Sequence, residues 1–109
     1  MKKVINGTLF DTEKATEVAS FQFSNPSDFN YLEETLYVTN KGNFILEGHG
    51  GAMTKYSKIV GNNSKSGGSD LELLLKDEAK QWLENHQNHF DEDIVKIFET
   101  YFPESLKEG

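Results

Sequence analysis

Hydrophobic and polar positions alternate along the middle of the chain. From residue 31 to 39, successive side chains fall into two sets, one richer in leucine and valine and the other in tyrosine and threonine. A period of two is typical of a half-buried β-strand. Residues 40–43 supply a turn and residues 44–47 a return strand, so we predict a hairpin over 31–47 near the centre of a sheet. Glu33 and Glu34 then point to opposite faces, and we expect no paired catalytic role for them.

The N-terminal part predicts a second hairpin and a short helix. Asn6-Gly7, flanked by short apolar runs, is a strong signal for a type I′ turn. Asp11 can cap a following helix, and the residues at 12–19 favour one or two helical turns. A short strand is expected over 20–23, ending in a proline-containing loop at 24–28.

Residues 52–70 are harder to interpret from pattern alone. Residues 52–60 fit either a strand or an irregular connection. The nine residues 61–69 are all small or polar, which predicts a mobile loop. A last strand is expected over residues 71–75.

Two amphipathic helices are predicted after that strand. On the first, Ala79, Trp82, Leu83 and His86 share one face, and Lys76, Lys80 and Glu84 face away. The second is expected to begin at Asp91, with Phe90 and Val95 as a hydrophobic staple. This helix should bury Ile94, Ile97, Phe98 and Tyr101, and it should end before Pro103, because proline cannot continue the helical hydrogen bonding.

These elements predict an α+β fold in a single domain over residues 1–109. We expect a small antiparallel β-sheet built from hairpins, a short N-terminal helix and two C-terminal amphipathic helices. The domain divides into a neutral, sheet-rich part (1–60), a flexible loop (61–69) and an acidic part (70–109) with one strand and the two helices.

Charge is distributed very unevenly along the sequence. Residues 1–69 carry seven carboxylates and seven lysines, whereas residues 70–109 carry eleven carboxylates and four lysines, which accounts for the whole net charge of −7. Arginine is absent, so the chain lacks the side chain best suited to phosphate and base contacts. We therefore expect no direct nucleic-acid binding, and a protein partner with a basic surface. The predicted acidic surface comprises Asp70, Glu72, Asp77, Glu78, Glu84, Asp91, Glu92, Asp93 and Glu99.

Other candidate chemistry is weaker. His86 and His89, with the carboxylates just beyond them, could form a zinc site, although packing of His86 and exposure of His89 explain them more simply. Gly48-x-Gly50-Gly51 lacks a complete phosphate-binding fingerprint and fits a strand end with close backbone approach. His49 could act as a general base only with a partner nucleophile, and the sequence assigns none to it. We expect no cofactor and no enzymatic activity.

The sequence also resembles a known group of proteins. The resemblance rests on Lys2-Lys3-Val4-Ile5-Asn6-Gly7, Asp11-Thr12-Glu13 with Ala15, Glu34-x-Leu36-Tyr37, Gly42-Asn43-x-x-Leu46-x-Gly48-x-Gly50-Gly51 with Tyr56, and Glu78-Ala79-x-x-Trp82. In these motifs the chain is similar to short proteins from mobile elements of Gram-positive bacteria that resemble type II-A anti-CRISPR proteins. Where the group has Thr or Ser before the first C-terminal helix, this chain has Lys76, which leaves the cap to Asp77.

The resemblance implies an inhibitor of the RNA-guided nuclease Cas9, bound as Cas9 or as Cas9 with its guide RNA. The first alternative is an accessory or antitoxin-like protein-binding module of a mobile element. The second is a metal-binding protein using His86 and His89. The start of the chain lacks the apolar segment of a signal peptide, and no stretch approaches the ~18 apolar residues of a membrane span, so we expect a cytoplasmic protein without a membrane partner.

Overall fold

The computed structural model describes residues 1–25, 27–62, 64–90 and 92–109. Its strands are β1 (Lys2–Ile5), β2 (Thr8–Asp11), β3 (Thr16–Phe23), β4 (Leu32–Val38), β5 (Phe44–Gly50), β6 (Lys58–Ile59), β7 (Lys65–Ser66) and β8 (Gly68–Leu74). The helices are α1 (Lys76–His86) and α2 (Ile94–Tyr101), with 3₁₀ turns at Thr12–Lys14, Gln87–His89 and Pro103–Ser105. The predicted α+β class is confirmed.

A four-stranded antiparallel sheet forms the centre of the molecule, in the order β3-β4-β5-β8. The predicted central hairpin is β4–β5, in a register that places Leu36 opposite Leu46 and Glu34 opposite Gly48. Gly42 in the connecting turn has φ +84°, a conformation that glycine adopts without steric cost. The prediction of a hairpin at the sheet centre is confirmed.

The helices and the N-terminal hairpin cover opposite faces of this sheet. Leu36, Leu46 and Leu74 face a large core that includes Trp82 of α1 and Phe98 of α2. Because neighbouring side chains on a strand alternate between faces, Ile45 and Leu71 point the other way and pack against Phe10 of β2. The fold thus has three layers: helices, sheet and hairpin.

The predicted N-terminal hairpin is confirmed. Strands β1 and β2 pair antiparallel, with Ile5 opposite Thr8. Asn6 and Gly7 between them have φ values of 52° and 80°. Positive φ at both turn residues is the requirement of a type I′ turn, which Asn-Gly satisfies with least strain.

The predicted N-terminal helix is wrong. Asp11 does act as a cap, since its carboxylate accepts a hydrogen bond from the Glu13 amide at 3.0 Å. The helical part ends after the single turn Thr12–Lys14, and Thr16–Phe23 forms strand β3. Pairing with β4 buries Ala19 and Phe21 against the helices, and this burial outweighs the helical preference of the local sequence.

The connection between β5 and β8 contains more structure than predicted. Residues 52–56 form turns and a bend, and Lys58–Ile59 pairs with Lys65–Ser66 as a small β-ribbon. Strand β8 begins at Gly68, inside the predicted 61–69 loop. A side chain at Gly67 or Gly68 would collide with the backbone carbonyl of Gly50 or Tyr56, respectively. These glycines permit close packing, a role that the sequence pattern does not distinguish from mobility.

Both C-terminal helices are confirmed, with different caps. Helix α1 begins at Lys76 and buries Ala79, Trp82 and Leu83. Asp77 is not its cap: the helix starts one residue earlier, and the Glu78 carboxylate accepts a hydrogen bond from the Leu75 amide at 2.8 Å.

Helix α2 starts three residues later than predicted, at Ile94, and Asp93 caps it by accepting from the Val95 amide at 2.9 Å. The predicted staple is wrong because Val95 is exposed and Phe90 packs against Trp82. The predicted start, Asp91, lies outside the described residues. Ile97 and Phe98 are buried, Ile94 and Tyr101 partly buried, and the helix ends two residues before Pro103.

In the described part of the chain, none of the helices has the length and apolar character needed to cross a membrane.

Candidate functional site

The predicted acidic surface spreads over the edge strand and both helices. Asp70 and Glu72 lie on β8; Asp77, Glu78 and Glu84 lie on α1; Glu92 and Asp93 precede α2 and Glu99 lies on it. All of these side chains are exposed except that of Glu92, which is half-buried. Asp91 falls outside the described residues. The structure therefore places the carboxylates of α1 and α2 on the layer that covers one face of the sheet.

Four of these carboxylates are already used inside the molecule. Asp70 pairs with Lys3 at 2.7 Å, which places it beside the N-terminal hairpin and lowers its pKa mainly through the hydrogen bond from Lys3. Asp77 pairs with Lys80 at 3.1 Å, one helical turn away. Glu78 and Asp93 accept the capping hydrogen bonds of α1 and α2.

The other described carboxylates remain available to a partner. Glu72, Glu84, Glu92 and Glu99 form no ion pair and no side-chain hydrogen bond within the residues that the structure describes. Carboxylates whose charge is not offset by a paired lysine contribute most to the attraction of a basic surface.

A buried carboxylate, not identified from the sequence, lies beneath this surface. Glu34 of β4 is 1% exposed, and its carboxylate meets donors from two other parts of the chain. The Trp82 indole N–H donates to Oε1 at 3.1 Å, and the Tyr56 hydroxyl donates to Oε2. The Lys55 ammonium pairs with Oε2 at 2.7 Å. We call Glu34, Lys55, Tyr56 and Trp82 the Glu34 network.

The network keeps Glu34 ionised. Burial alone would raise the pKa of Glu34, but the hydrogen bonds from Lys55, Tyr56 and Trp82 and the charge of Lys55 outweigh it, so the pKa lies below its ordinary value. Burial and the hydrogen bond to Glu34 raise the pKa of Tyr56 far above its ordinary value. Tyr56 therefore stays a neutral donor at every physiological pH.

Gly48 makes room for the network. It lies opposite Glu34 in the β4–β5 register, on the helix-facing side of the sheet. A Cβ atom at Gly48 would overlap the Tyr56 ring, so the ring occupies the space that a side chain at this position would need. Two backbone hydrogen bonds hold the 52–57 segment there: the Met53 amide donates to the Phe29 carbonyl, and the amide of Gly51, just before the segment, donates to the Tyr31 carbonyl, both at 2.9 Å.

Two signals in the sequence could have indicated this network. Glu34 stands in the alternating set with Leu32, Leu36 and Val38, which places a carboxylate among inward-facing positions. A charge at such a position needs partners, and a buried Trp82 needs an acceptor for its indole N–H. The partners come from the 52–57 segment, whose conformation the sequence left open.

The histidines are placed by packing. His86 is half-buried and lies against Phe21 with ring centroids 4.3 Å apart, and its Nε2 is 3.9 Å from Glu34 Oε1. Burial lowers the pKa of His86, although the Glu34 charge acts in the opposite direction. His89 is exposed. Among the described residues, the structure brings together no group of three or more His, Asp or Glu side chains suited to hold a metal ion.

The glycine motif serves backbone packing in the structure. Gly50 faces the Thr54 side chain and Gly51 faces the Phe29 carbonyl, in each case too closely for a Cβ. On the opposite face, His49 Nδ1 lies 2.6 Å from Ser69 Oγ across the β5–β8 pair, and its Nε2 lies 3.5 Å from Glu47, which also faces the N-terminal ammonium. His49 thus has a cross-strand partner that the sequence could not assign.

Comparisons with protein-family models, curated proteins and solved structures find no match to this chain.

Proposed function

We propose that this protein inhibits Cas9 by covering a basic nucleic-acid-binding surface of that enzyme with its acidic surface. The observation that carries the proposal is the segregation of charge: the net charge of −7 arises entirely from residues 70–109, and that part of the chain forms the edge strand and the helical layer. The resemblance to type II-A anti-CRISPR proteins supports Cas9 as the partner.

The chemistry of the surface suits a basic partner. Exposed carboxylates on a rigid layer can occupy positions that phosphates take on a nucleic-acid-binding protein, and complementary charge speeds the encounter of the two proteins. Glu84 on α1 and Glu99 on α2 are the clearest candidates, because each is exposed and forms no ion pair or side-chain hydrogen bond within the described residues. Both helices are fixed to the sheet by the aromatic core, so the carboxylates keep their arrangement.

A cleavage assay with matched variants tests the proposal. Increasing amounts of the protein are added to each of several type II-A Cas9 proteins before or after guide RNA and target DNA, and cut DNA is measured. Wild type is expected to inhibit at least one of them. Glu84→Gln/Glu99→Gln should raise the concentration needed by about tenfold, since each lost contact of a charged pair weakens binding.

The control is Glu13→Gln/Glu17→Gln. It removes the same two charges from exposed positions on the neutral part of the chain. It is expected to inhibit like wild type. The proposal is wrong if wild type neither binds nor inhibits any of the Cas9 proteins, or if both double variants lose inhibition equally.

The accessory or antitoxin-like alternative is separated by the partner. If the protein leaves every Cas9 active but forms a stable complex with the product of a neighbouring gene, and Glu84→Gln/Glu99→Gln weakens that complex, then the acidic surface serves a different basic protein.

A further inference from the structure

One segment has the opposite charge to the acidic surface. Between residues 48 and 69 the sequence contains no Asp or Glu and three lysines, Lys55, Lys58 and Lys65. Lys55 pairs with Glu34. Lys58 and Lys65 form no ion pair within the part of the chain that the structure describes, although Lys58 is close enough to Asp70 for its charge to help lower the pKa of that carboxyl. We call residues 58–62 and 64–66, which include the ribbon β6–β7, the lysine arm.

The lysine arm presents the same chemistry on both of its faces. Lys58 is opposite Ser66 and Ile59 is opposite Lys65, and directly opposed residues of an antiparallel pair share a face. Lys58 and Lys65 therefore project from opposite faces of the ribbon, and the apolar Ile59 and Val60 alternate in the same way. Ile59 is 79% exposed and Val60 48% exposed, so both are uncovered in the isolated chain.

The arm is attached firmly to the rest of the fold. At its base, Tyr56 donates to Glu34, and the carbonyl of Tyr56 packs closely over Gly68 at the start of β8. The same Glu34 carboxylate accepts the indole N–H of Trp82 on α1. One buried residue thus ties the base of the arm to the helix that carries Glu84. The base of the arm therefore lies beside the layer that carries the acidic surface, so both can meet one partner.

We propose that the lysine arm contacts the phosphate backbone of a nucleic acid that the partner protein already holds. The inference rests on the proposed function. If the acidic surface covers a basic nucleic-acid-binding site, the dense negative charge beside that site in the loaded complex is the nucleic acid. Lysine is a well-established point-charge ligand for phosphate. A ribbon with a lysine and an apolar side chain on each face suits a cleft between backbone segments better than a flat acidic surface of a protein, which would engage one face only.

Binding of free nucleic acid is not part of this proposal. The net charge of −7 repels a polyanion, and two lysines offset little of it. The arm is expected to add affinity only after the acidic surface has docked. The protein should therefore prefer Cas9 loaded with guide RNA to Cas9 without RNA, and the arm should account for that preference.

The test measures the affinity for Cas9 with and without guide RNA for three forms of the protein. Lys58→Glu/Lys65→Glu is the arm variant. Lys14→Glu/Lys41→Glu is the control, with the same charge change at two exposed lysines outside the arm. The arm variant is expected to bind the RNA-loaded complex about tenfold more weakly and RNA-free Cas9 as wild type does. Loss of two phosphate contacts should also change the slope of log affinity against log salt by roughly 1.5.

Each other outcome contradicts the inference. Equal weakening of both Cas9 forms by the arm variant means that the arm binds protein. Equal loss in the control variant means that only net charge matters. If, without Cas9, the arm variant has a lower sedimentation coefficient than wild type, the arm binds a second copy of the chain.

Failure of the proposed function gives a different pattern. If Glu84→Gln/Glu99→Gln leaves binding to both Cas9 forms intact, the acidic surface is not the interface, and the proposed function fails whatever the arm does. If that variant weakens both forms and the arm variant weakens neither, only the inference about the arm fails.

Discussion

At the residue scale, Glu34 shows how a carboxylate is kept charged beside a hydrophobic core. Burying an ionised group without partners is very unfavourable. Here Trp82, Tyr56 and Lys55 supply two hydrogen bonds and an ion pair, and within the described residues no buried side-chain polar atom lacks a partner. Since these donors come from a segment and a helix far apart in sequence, one residue joins three parts of the fold.

The hydroxyl of Tyr56 is expected to contribute measurably to stability. Tyr56→Phe removes a hydrogen bond to a buried charge, and we expect a loss of about 2 kcal/mol in the free energy of unfolding by urea. Tyr31→Phe is the matched control, because the Tyr31 hydroxyl also donates to a glutamate, Glu33, at 2.6 Å, but Glu33 is only half-buried whereas Glu34 is 1% exposed. It should lose less than about 1 kcal/mol. Equal losses in the two variants would mean that the hydrogen bond from Tyr56 to Glu34 stabilises the fold no more than the one from Tyr31 to Glu33.

The burial of His86 is expected to make stability depend on pH. Because burial lowers its pKa in the folded state below the ordinary 6.5, the unfolded chain takes up a proton first as the pH falls. This contribution is complete above about pH 7 and is lost as the pH falls through 6.5 and below. Below about pH 5, protonation of Glu34, whose folded pKa is lowered from 4.5, reduces stability further.

A comparison of unfolding free energies at pH 7.5 and pH 5.5 tests this pH dependence. His86→Gln should reduce the difference in unfolding free energy between the two pH values. His89→Gln, which replaces an exposed histidine three residues away, should leave that difference unchanged. A wild-type stability that does not decrease on acidification would contradict the assignment to His86.

At the element scale, the 52–57 segment takes its place because of the strand beneath it. Gly48 interrupts the helix-facing row of β5 after Phe44 and Leu46, and the Tyr56 ring fills the gap. The same segment then leads into the lysine arm. The 52–57 segment is thus positioned by the space above Gly48 and by the buried acceptor Glu34.

Gly48→Ala is expected to displace Tyr56 and weaken the fold. The added methyl group occupies the ring position, so Glu34 loses a donor, and we expect a loss of about 3 kcal/mol in urea unfolding. In a Tyr56→Ala background the ring is already gone, and the same change should then cost less than about 1 kcal/mol. Additive losses in this double-mutant cycle would mean that Gly48 matters for its backbone alone.

At the scale of the whole molecule, charge is sorted by layer and by segment. The helices and β8 carry the excess of carboxylates, and the lysine arm carries none. A partner would therefore meet two surfaces of opposite sign, and the Glu34 network joins the base of the lysine arm to helix α1.

Binding through the acidic surface is expected to be strongly salt-dependent. Exposed charges are screened within about 8 Å at physiological ionic strength and within about 3 Å at 1 M salt. The affinity of wild type for Cas9 should therefore fall markedly from 0.05 to 0.5 M salt, an order-of-magnitude change in ionic strength. Glu84→Gln/Glu99→Gln should show a shallower decrease. Affinity that is constant across this range would contradict an electrostatic interface.

By itself the sequence determined what depends on local pattern. The period of two at 31–39, the Asn-Gly turn and the apolar stripes of the two helices each constrain neighbouring residues directly, and all appear in the structure. The charge difference between residues 1–69 and 70–109 is likewise a property of the sequence alone.

The tertiary structure decided whatever depends on burial between distant segments. Thr16–Phe23 is a strand because β4 and the helices bury it, although Asp11 and the residues after it favour a helix. The glycines near 50 and 67 serve close packing because another backbone lies against them. Glu34, Tyr56 and Trp82 meet only when strand, segment and helix have assembled, since hydrogen bonds between distant residues follow from the packed chain and leave no periodic pattern in the sequence.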